Sequence, residues 1–196
     1  VRENDYPGRF IVVEGADGAG TTTQSEKLAE ELDAFWTHEP AENRIGQKVD
    51  ELISTDGYDP ETIALAFAAD RMVHLEEEII PRLEKGVTVI CDRYYHSSLV
   101  YQPVMGAEKE WVRDLNRDAL RPDLTLVIDV SADIGMERID ERGHDGNIFE
   151  DLSFQQKVVV GYRRLEEELG ENLHIIDGSQ TRDEVFRSIL DIVEQT

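Results

Sequence analysis

Cysteine, lysine and long apolar runs are scarce in this chain. One cysteine in 196 residues, Cys91, excludes an intrachain disulfide and any metal centre built on a cysteine cluster. A chain this poor in thiols fits a cytoplasmic location. No apolar stretch approaches the ~20 residues needed to span a bilayer. Val1 to Arg9 are polar and charged, unlike a signal peptide or membrane anchor. Residues 1–8 are expected as a flexible lead-in to a single domain over 9–196.

Positive charge is scarce as well. Lys plus Arg number 20 against 43 Asp plus Glu, a net charge of -23, and only Lys27, Lys48, Lys85, Lys109 and Lys157 are lysines. The acids are spread along the chain, so the whole surface carries the charge. Such a field excludes nonspecific binding to nucleic acid or to an anionic membrane. It implies strong self-repulsion at low salt, and it reads as adaptation to a salt-rich cell.

Apolar content of 40% is ordinary for a globular domain with a sizeable core. Strands are expected at 10–14, about 34–38, 87–92, 124–130 and 173–177. Helical patterns lie between them, one running from near Pro60 to Leu83 and ended by Gly86. Others cover about 43–54, 95–104, 108–118, 132–142, 153–169 and 181–195. Strands alternating with helices predict an α/β fold, a five-stranded parallel sheet with helices on both faces. Ligands of such sheets sit at the carboxyl ends of the strands. That singles out Glu14 onward, His38-Glu39-Pro40, Asp92-Arg93-Tyr94 and Asp129.

The chain is organised around Gly15-Ala16-Asp17-Gly18-Ala19-Gly20-Thr21-Thr22-Thr23. An apolar, β-branched run, Phe10-Ile11-Val12-Val13, precedes it. Leu28, Leu32 and Phe35 follow at the spacing of one helix face. Strand, glycine turn and helix make an anion cradle, with backbone N–H groups and the helix N-terminus aimed at one phosphate. The pattern is nearly G-x-x-x-x-G-K-[ST], the P-loop. Gly15 and Gly20 are correctly spaced, and Thr22 stands where a hydroxyl would hold Mg²⁺. The lysine position is Thr21. A tight strand-to-helix turn that binds nothing is the plain alternative.

Further motifs carry a family resemblance. Phe67-Ala68-Ala69-Asp70-Arg71 is followed by His74-Leu75-Glu76, then by Cys91-Asp92-Arg93-Tyr94 and Ser97-Ser98-Leu99-Val100-Tyr101-Gln102. With Pro122-Asp123 and the strand after it, the chain resembles thymidylate kinase from Arg9 to about Leu190. The resemblance implies a P-loop nucleoside monophosphate kinase fold and a homodimer formed through helices flanking the acceptor site. It implies transfer of the ATP γ-phosphoryl to dTMP, with Mg²⁺ as cofactor. Residues 15–23 would bind ATP, Thr22 would ligate the ion, and Asp92 would stand behind it. Arg93 would bridge acceptor and donor phosphates; a surface arginine paired with Asp92 is the alternative. Asp17 would reach the deoxyribose 3′-hydroxyl. Phe67 would stack on thymine and Arg71 would bond its O4 edge, although periodicity alone equally supports core packing for Phe67. Tyr101 would exclude a 2′-hydroxyl, and Gln102 and Ser98 would support the base, with Ser98 where some relatives carry Asn. Glu39 and Pro40 would belong to the acceptor site.

Residues 136–150 match the family's lid. With glycine at position 18 instead of arginine, the catalytic arginines would come from the lid, as Arg138 and Arg142, with Glu150 orienting metal or arginine. A solvated charged helix is the alternative there. Arg44 lies close enough to His38 in sequence to be a further candidate for the acceptor phosphate. Trp36, Trp111 and the histidines carry no ligand spacing. Three explanations stay open for the missing lysine: an arginine supplies the charge, a bound K⁺ supplies it, or the chain binds nucleotides without turning them over.

Overall fold

The computed structural model describes residues 1–55, 57–143, 149, 151–170 and 172–196, with the side chain of Arg142 outside the description. Five strands form one sheet: β1 (Phe10–Gly15), β2 (Phe35–His38), β3 (Val89–Asp92), β4 (Leu124–Asp129) and β5 (Leu173–Asp177). Their order is β2-β3-β1-β4-β5, and every pairing is parallel. The helices are α1 (Thr21–Glu31), α2 (Arg44–Ile53), α3 (Pro60–His74), α4 (Ile80–Leu83), α5 (Tyr95–Met105), α6 (Lys109–Leu115), α7 (Ala132–Arg142), α8 (Leu152–Leu169) and α9 (Arg182–Gln195). This is the α/β architecture expected of the sequence.

Burial on both faces explains the continuous apolar runs of the central strands. Side chains alternate between faces along a strand. Phe10 and Val12 point into a core shared with α5 and α8, whereas Ile11 and Val13 point into one shared with α1 and α9. The parallel register aligns the strand ends. His38 pairs with Asp92, Asp92 with Val13, and Gly15 with Ile128. Polar residues at the ends of β1, β2 and β3 therefore share one rim.

Two local differences from the expected elements have physical causes. The long helix is interrupted by a π turn at Leu75–Ile79, just ahead of Pro81. Proline lacks the N–H for an i→i−4 bond and crowds the preceding turn, which widens to accommodate it. Helix α6 stops at Leu115 because Asn116 leaves the helix and turns its amide back onto the Val112 carbonyl at 2.8 Å. The expected flexible lead-in is tied down at several points: Arg2 exchanges backbone bonds with Ala119 and Arg121, and the Gly8 N–H donates to Leu83 O at 2.9 Å.

Candidate active site

A cavity of about 780 Å³ opens at the carboxyl ends of the strands. Its floor is the turn between β1 and α1. Gly18 and Gly20 hold φ of 77° and 92°, the left-handed region that L side chains rarely adopt. A Cβ on Gly18 would lie 2.2 Å from the Gly135 carbonyl oxygen, so the first turn of α7 rests directly on the loop. Asp17 through Thr23 line the cavity, whereas Gly15 and Ala16, also expected at the phosphates, do not. Thr21 is buried on its wall, where the motif would place lysine.

Thr22 Oγ1 donates to Asp92 Oδ2 at 2.5 Å. The other oxygen, Asp92 Oδ1, is buried without a hydrogen-bond partner. Two hard oxygen donors with spare capacity beside a phosphate cradle fit Mg²⁺, which takes few protein ligands and keeps its waters. Among the described residues no cluster of three His, Cys, Asp or Glu could hold a metal ion.

Arg93 follows β3 with φ at 65°, held there by a carboxylate from β1. Glu14 is fully buried and accepts from the Tyr94 N–H at 2.7 Å and the Ser97 N–H at 3.2 Å, capping α5. Its second oxygen accepts from Ser97 Oγ at 2.7 Å and the Tyr162 hydroxyl at 2.8 Å. The Arg93 guanidinium donates to Gly15 O at 3.0 Å and Asp17 Oδ1 at 2.6 Å. Its carboxylate partner is thus Asp17, not the Asp92 pairing left open by the sequence. Burial disfavours the guanidinium charge, but Tyr101, Asp17, Tyr162 and Asp92 around it more than offset this and hold its pKa well above the usual value. Burial also pushes the Tyr101 phenol up, so it stays protonated and donates to Asp17 Oδ1 at 3.0 Å. Gln155 Nε2 donates to the remaining Asp17 oxygen at 2.7 Å.

The far end of the cavity is built on α3 and α5. Phe67 stands half-buried on its wall, and Pro40, Ser98, Tyr101 and Gln102 line the same end. Arg71 is almost fully buried. Its Nε and Nη2 donate to Glu39 Oε2 at 2.9 and 2.7 Å, Nη2 also reaches Ser98 Oγ at 3.3 Å, and Nη1 donates to Asn116 Oδ1. Of five N–H donors, one on Nη1 remains. The guanidinium as a whole is therefore not presented to a base edge. Gln102 Oε1 is buried without a partner beside it. The Tyr101 ring meets Phe149 edge to face at 5.1 Å, so the last described residue of the expected lid packs on this wall.

At the opposite end, Arg138 donates to Gly18 O at 3.2 Å and Gly178 O at 3.1 Å. Both acceptors are neutral carbonyls, and among the described residues no salt bridge pairs Arg138 with a carboxylate. Arg142 beyond its backbone, residues 144–148 and Glu150 lie outside the described residues. Arg44 is exposed and does not line the cavity. Sequence reasoning missed Glu14 as a hub, Gln155, Asn116 and Tyr162, and at the donor end Gln180 and Arg182, which line the cavity. Only Glu14 carried a signal, as an acid closing an apolar strand.

A parallel sheet with a glycine turn between β1 and α1, opening onto a cavity at the strand ends, defines a P-loop nucleotide-binding protein. The thymidylate kinase family model matches residues 13–189, and the chain belongs to that family. A probable thymidylate kinase of Methanocaldococcus jannaschii is 39% identical over 92% of this chain and 93% of its own length. One from Pyrococcus abyssi is 38% identical over 95% and 96%, and one from Thermococcus gammatolerans 36% over 96% and 97%.

Proposed function

We propose that the chain is a dTMP kinase, moving the γ-phosphoryl of ATP onto the 5′-phosphate of dTMP to give dTDP. One observation carries the reading: a single cavity joins the anion cradle of residues 15–23 to a base-sized end walled by Phe67, Arg71 and Gln102, with Arg93 between them. Two nucleotides bound end to end would meet at Arg93, whose planar fork suits phosphate oxygens on both. Thymine would stack on Phe67, a contact contributing roughly 1–3 kcal/mol. Its O4 would accept the free Arg71 N–H and its N3–H would donate to Gln102 Oε1. Cytosine presents the opposite pattern at both positions. Tyr101 would pack against the deoxyribose, and Asp17 would hold its 3′-hydroxyl. Glu39 would act through Arg71.

Thr22 and Asp92 would hold Mg²⁺, which when bound neutralises phosphate charge. The family lid over 136–150, carrying Arg138 and Arg142, would close on ATP and exclude water. The family resemblance and the carbonyl contacts of Arg138 at Gly18 and Gly178 support an arginine in place of the missing lysine; K⁺ beside Thr21 is the other route. We further take residues 9–196 to act as one domain, in the cytoplasm, as a homodimer, with no nucleic-acid or membrane partner. Exposed Leu65 on α3 gives such a dimer an apolar contact beside the acceptor end. Among the described residues no helix is long and apolar enough to cross a membrane.

A second reading, nucleotide binding without turnover, rests on Thr21 alone. Assaying every common nucleoside monophosphate with ATP and Mg²⁺ in high-salt buffer decides between them. Turnover with dTMP ahead of all others is expected. Preference for another acceptor, or none used, would overturn the proposal.

A further inference from the structure

Beneath the base-sized end lies a buried group that the chemistry above does not use. His74, the last residue of α3, has no exposed side-chain surface. Its Nε2 lies 2.7 Å from Thr37 Oγ1 on β2, and its Nδ1 lies 3.4 Å from Glu39 Oε1. Glu39, also buried, uses its other oxygen for both contacts to Arg71. On the opposite side of the guanidinium, Asn116 accepts from Nη1 and is itself fixed by its amide bond to Val112 O. Thr37, His74, Glu39, Arg71 and Asn116 thus form one continuous chain across β2, α3 and the end of α6.

The pairing of Glu39 with Arg71 fixes one hydrogen-bond role in this chain. A carboxylate paired with arginine accepts only, so the imidazole donates from Nδ1. On the other side of the ring, Nε2 meets the Thr37 hydroxyl, which also donates to Glu78 Oε2 at 3.3 Å, and Nε2 itself lies 3.9 Å from that oxygen. The ring is thus held from both sides, at Nδ1 by Glu39 and at Nε2 by Thr37 and Glu78. The consequence is geometric. With both oxygens of Glu39 engaged and three guanidinium edges occupied, Arg71 has one rotational setting, and its single free N–H has one direction.

Resting on the reading that this end takes thymine, we propose that His74 is a positioning residue for base recognition. It holds Glu39 so that Arg71 presents one N–H toward O4, and Asn116 braces the guanidinium from behind. His74 touches no substrate and acts only through Glu39 and Arg71.

The test compares His74→Leu, His74→Asn, Arg71→Gln and the Arg71→Gln/His74→Leu double variant of the full chain. Equilibrium dTMP binding by calorimetry is measured beside steady-state kinetics with dTMP and dCMP. Loss of a buried partner of this kind predicts that His74→Leu weakens dTMP binding about tenfold. The preference for dTMP over dCMP should narrow, while the ATP KM moves less than about twofold. Asparagine, whose amide nitrogen falls near Nδ1, should recover most of the binding. In the Arg71→Gln background the His74→Leu penalty should fall below about twofold, since coupled residues are not additive. Parent-like dTMP affinity in His74→Leu, or a penalty undiminished without Arg71, would overturn the proposal. Should His74→Leu not fold, His74→Phe keeps a buried ring without the Nδ1 group facing Glu39, and parent-like dTMP affinity there would overturn it equally. A parent chain that binds dTMP without phosphorylating it would sink the kinase reading and leave this binding comparison decisive.

Discussion

Thr22 Oγ1 sits 2.5 Å from Asp92 Oδ2, tying the first turn of α1 to the end of β3, while Asp92 Oδ1 has no hydrogen-bond partner. A buried carboxylate with an idle oxygen beside a phosphate cradle is costly unless something occupies it. Asp92→Asn keeps the shape and removes the charge. It is expected to raise the Mg²⁺ concentration for half-maximal activity and to lower kcat on the order of 10²-fold, as for loss of one preorganised electrostatic group. A Mg²⁺ titration of both proteins checks this.

The sheet was legible because its strands are buried on both faces and so read as apolar runs between glycine and proline signals. The glycine turn was legible because φ above zero at Gly18 and Gly20 leaves a trace in residue type. The wiring beneath the site was not. Glu14 bonds residues 80 and 148 positions away, Gln155 bonds Asp17 across 138, and Asn116 bonds Arg71 across 45. No local period encodes such pairs. Arg71 shows the cost most clearly: the family resemblance implies a base contact for it, but only the fold reveals that four of its five N–H groups are already engaged.

Thr21→Lys restores the lysine of the P-loop pattern at a position on the cavity wall. On the proposal that Arg93 and Arg138 supply the charge, kcat is expected to rise less than about tenfold, well below what one missing donor would command. Initial rates in KCl and in a buffer with only an organic cation separate the routes. Activity that persists without K⁺ favours arginine, and activity lost there and regained in Thr21→Lys favours the ion.

Gly18→Arg tests the contact between the loop and α7. Even a Cβ would approach the Gly135 carbonyl to 2.2 Å, at a residue whose φ of 77° already disfavours any side chain. Either α7 is pushed off the loop or the loop opens, and both displace Arg138 from Gly18 O. The ATP KM is expected to rise by about tenfold or more, with dTMP affinity changed far less. Separate titrations of the two nucleotides measure it.

The start of α9 gives a pH dependence with a defined sign. Hydrogen bonds from the Thr181 hydroxyl and then its backbone N–H hold Glu184 below the usual value, completing a capping box. The Lys27 ammonium, by hydrogen bond and then charge, does the same for Asp183. A depressed folded-state pKa contributes stability that is fully present above the unfolded value and is lost as pH falls through the folded one. Urea midpoints of parent and Glu184→Gln should therefore differ at neutral pH and converge as pH falls below the usual carboxylate range.

The charge of -23 makes the strongest claim about conditions. Lys and Arg together number 20 against 43 acids, so most acids have no basic residue to themselves, and exposed pairs such as Lys27–Asp183 and Arg121–Glu3 contribute little each. At about 0.1 M salt, repulsion reaches across roughly 10 Å, several side chains on this surface; at 1 M it reaches about 3 Å. Compaction brings the acids together, so screening favours the folded state over the expanded one. Thermal unfolding should shift to higher temperature between about 0.1 and 2 M KCl, most steeply below 1 M, where the screening length changes fastest. Potassium glutamate at equal ionic strength should act similarly if screening is the cause. Equal midpoints across the series would mean that the acidic surface is not an adaptation to salt.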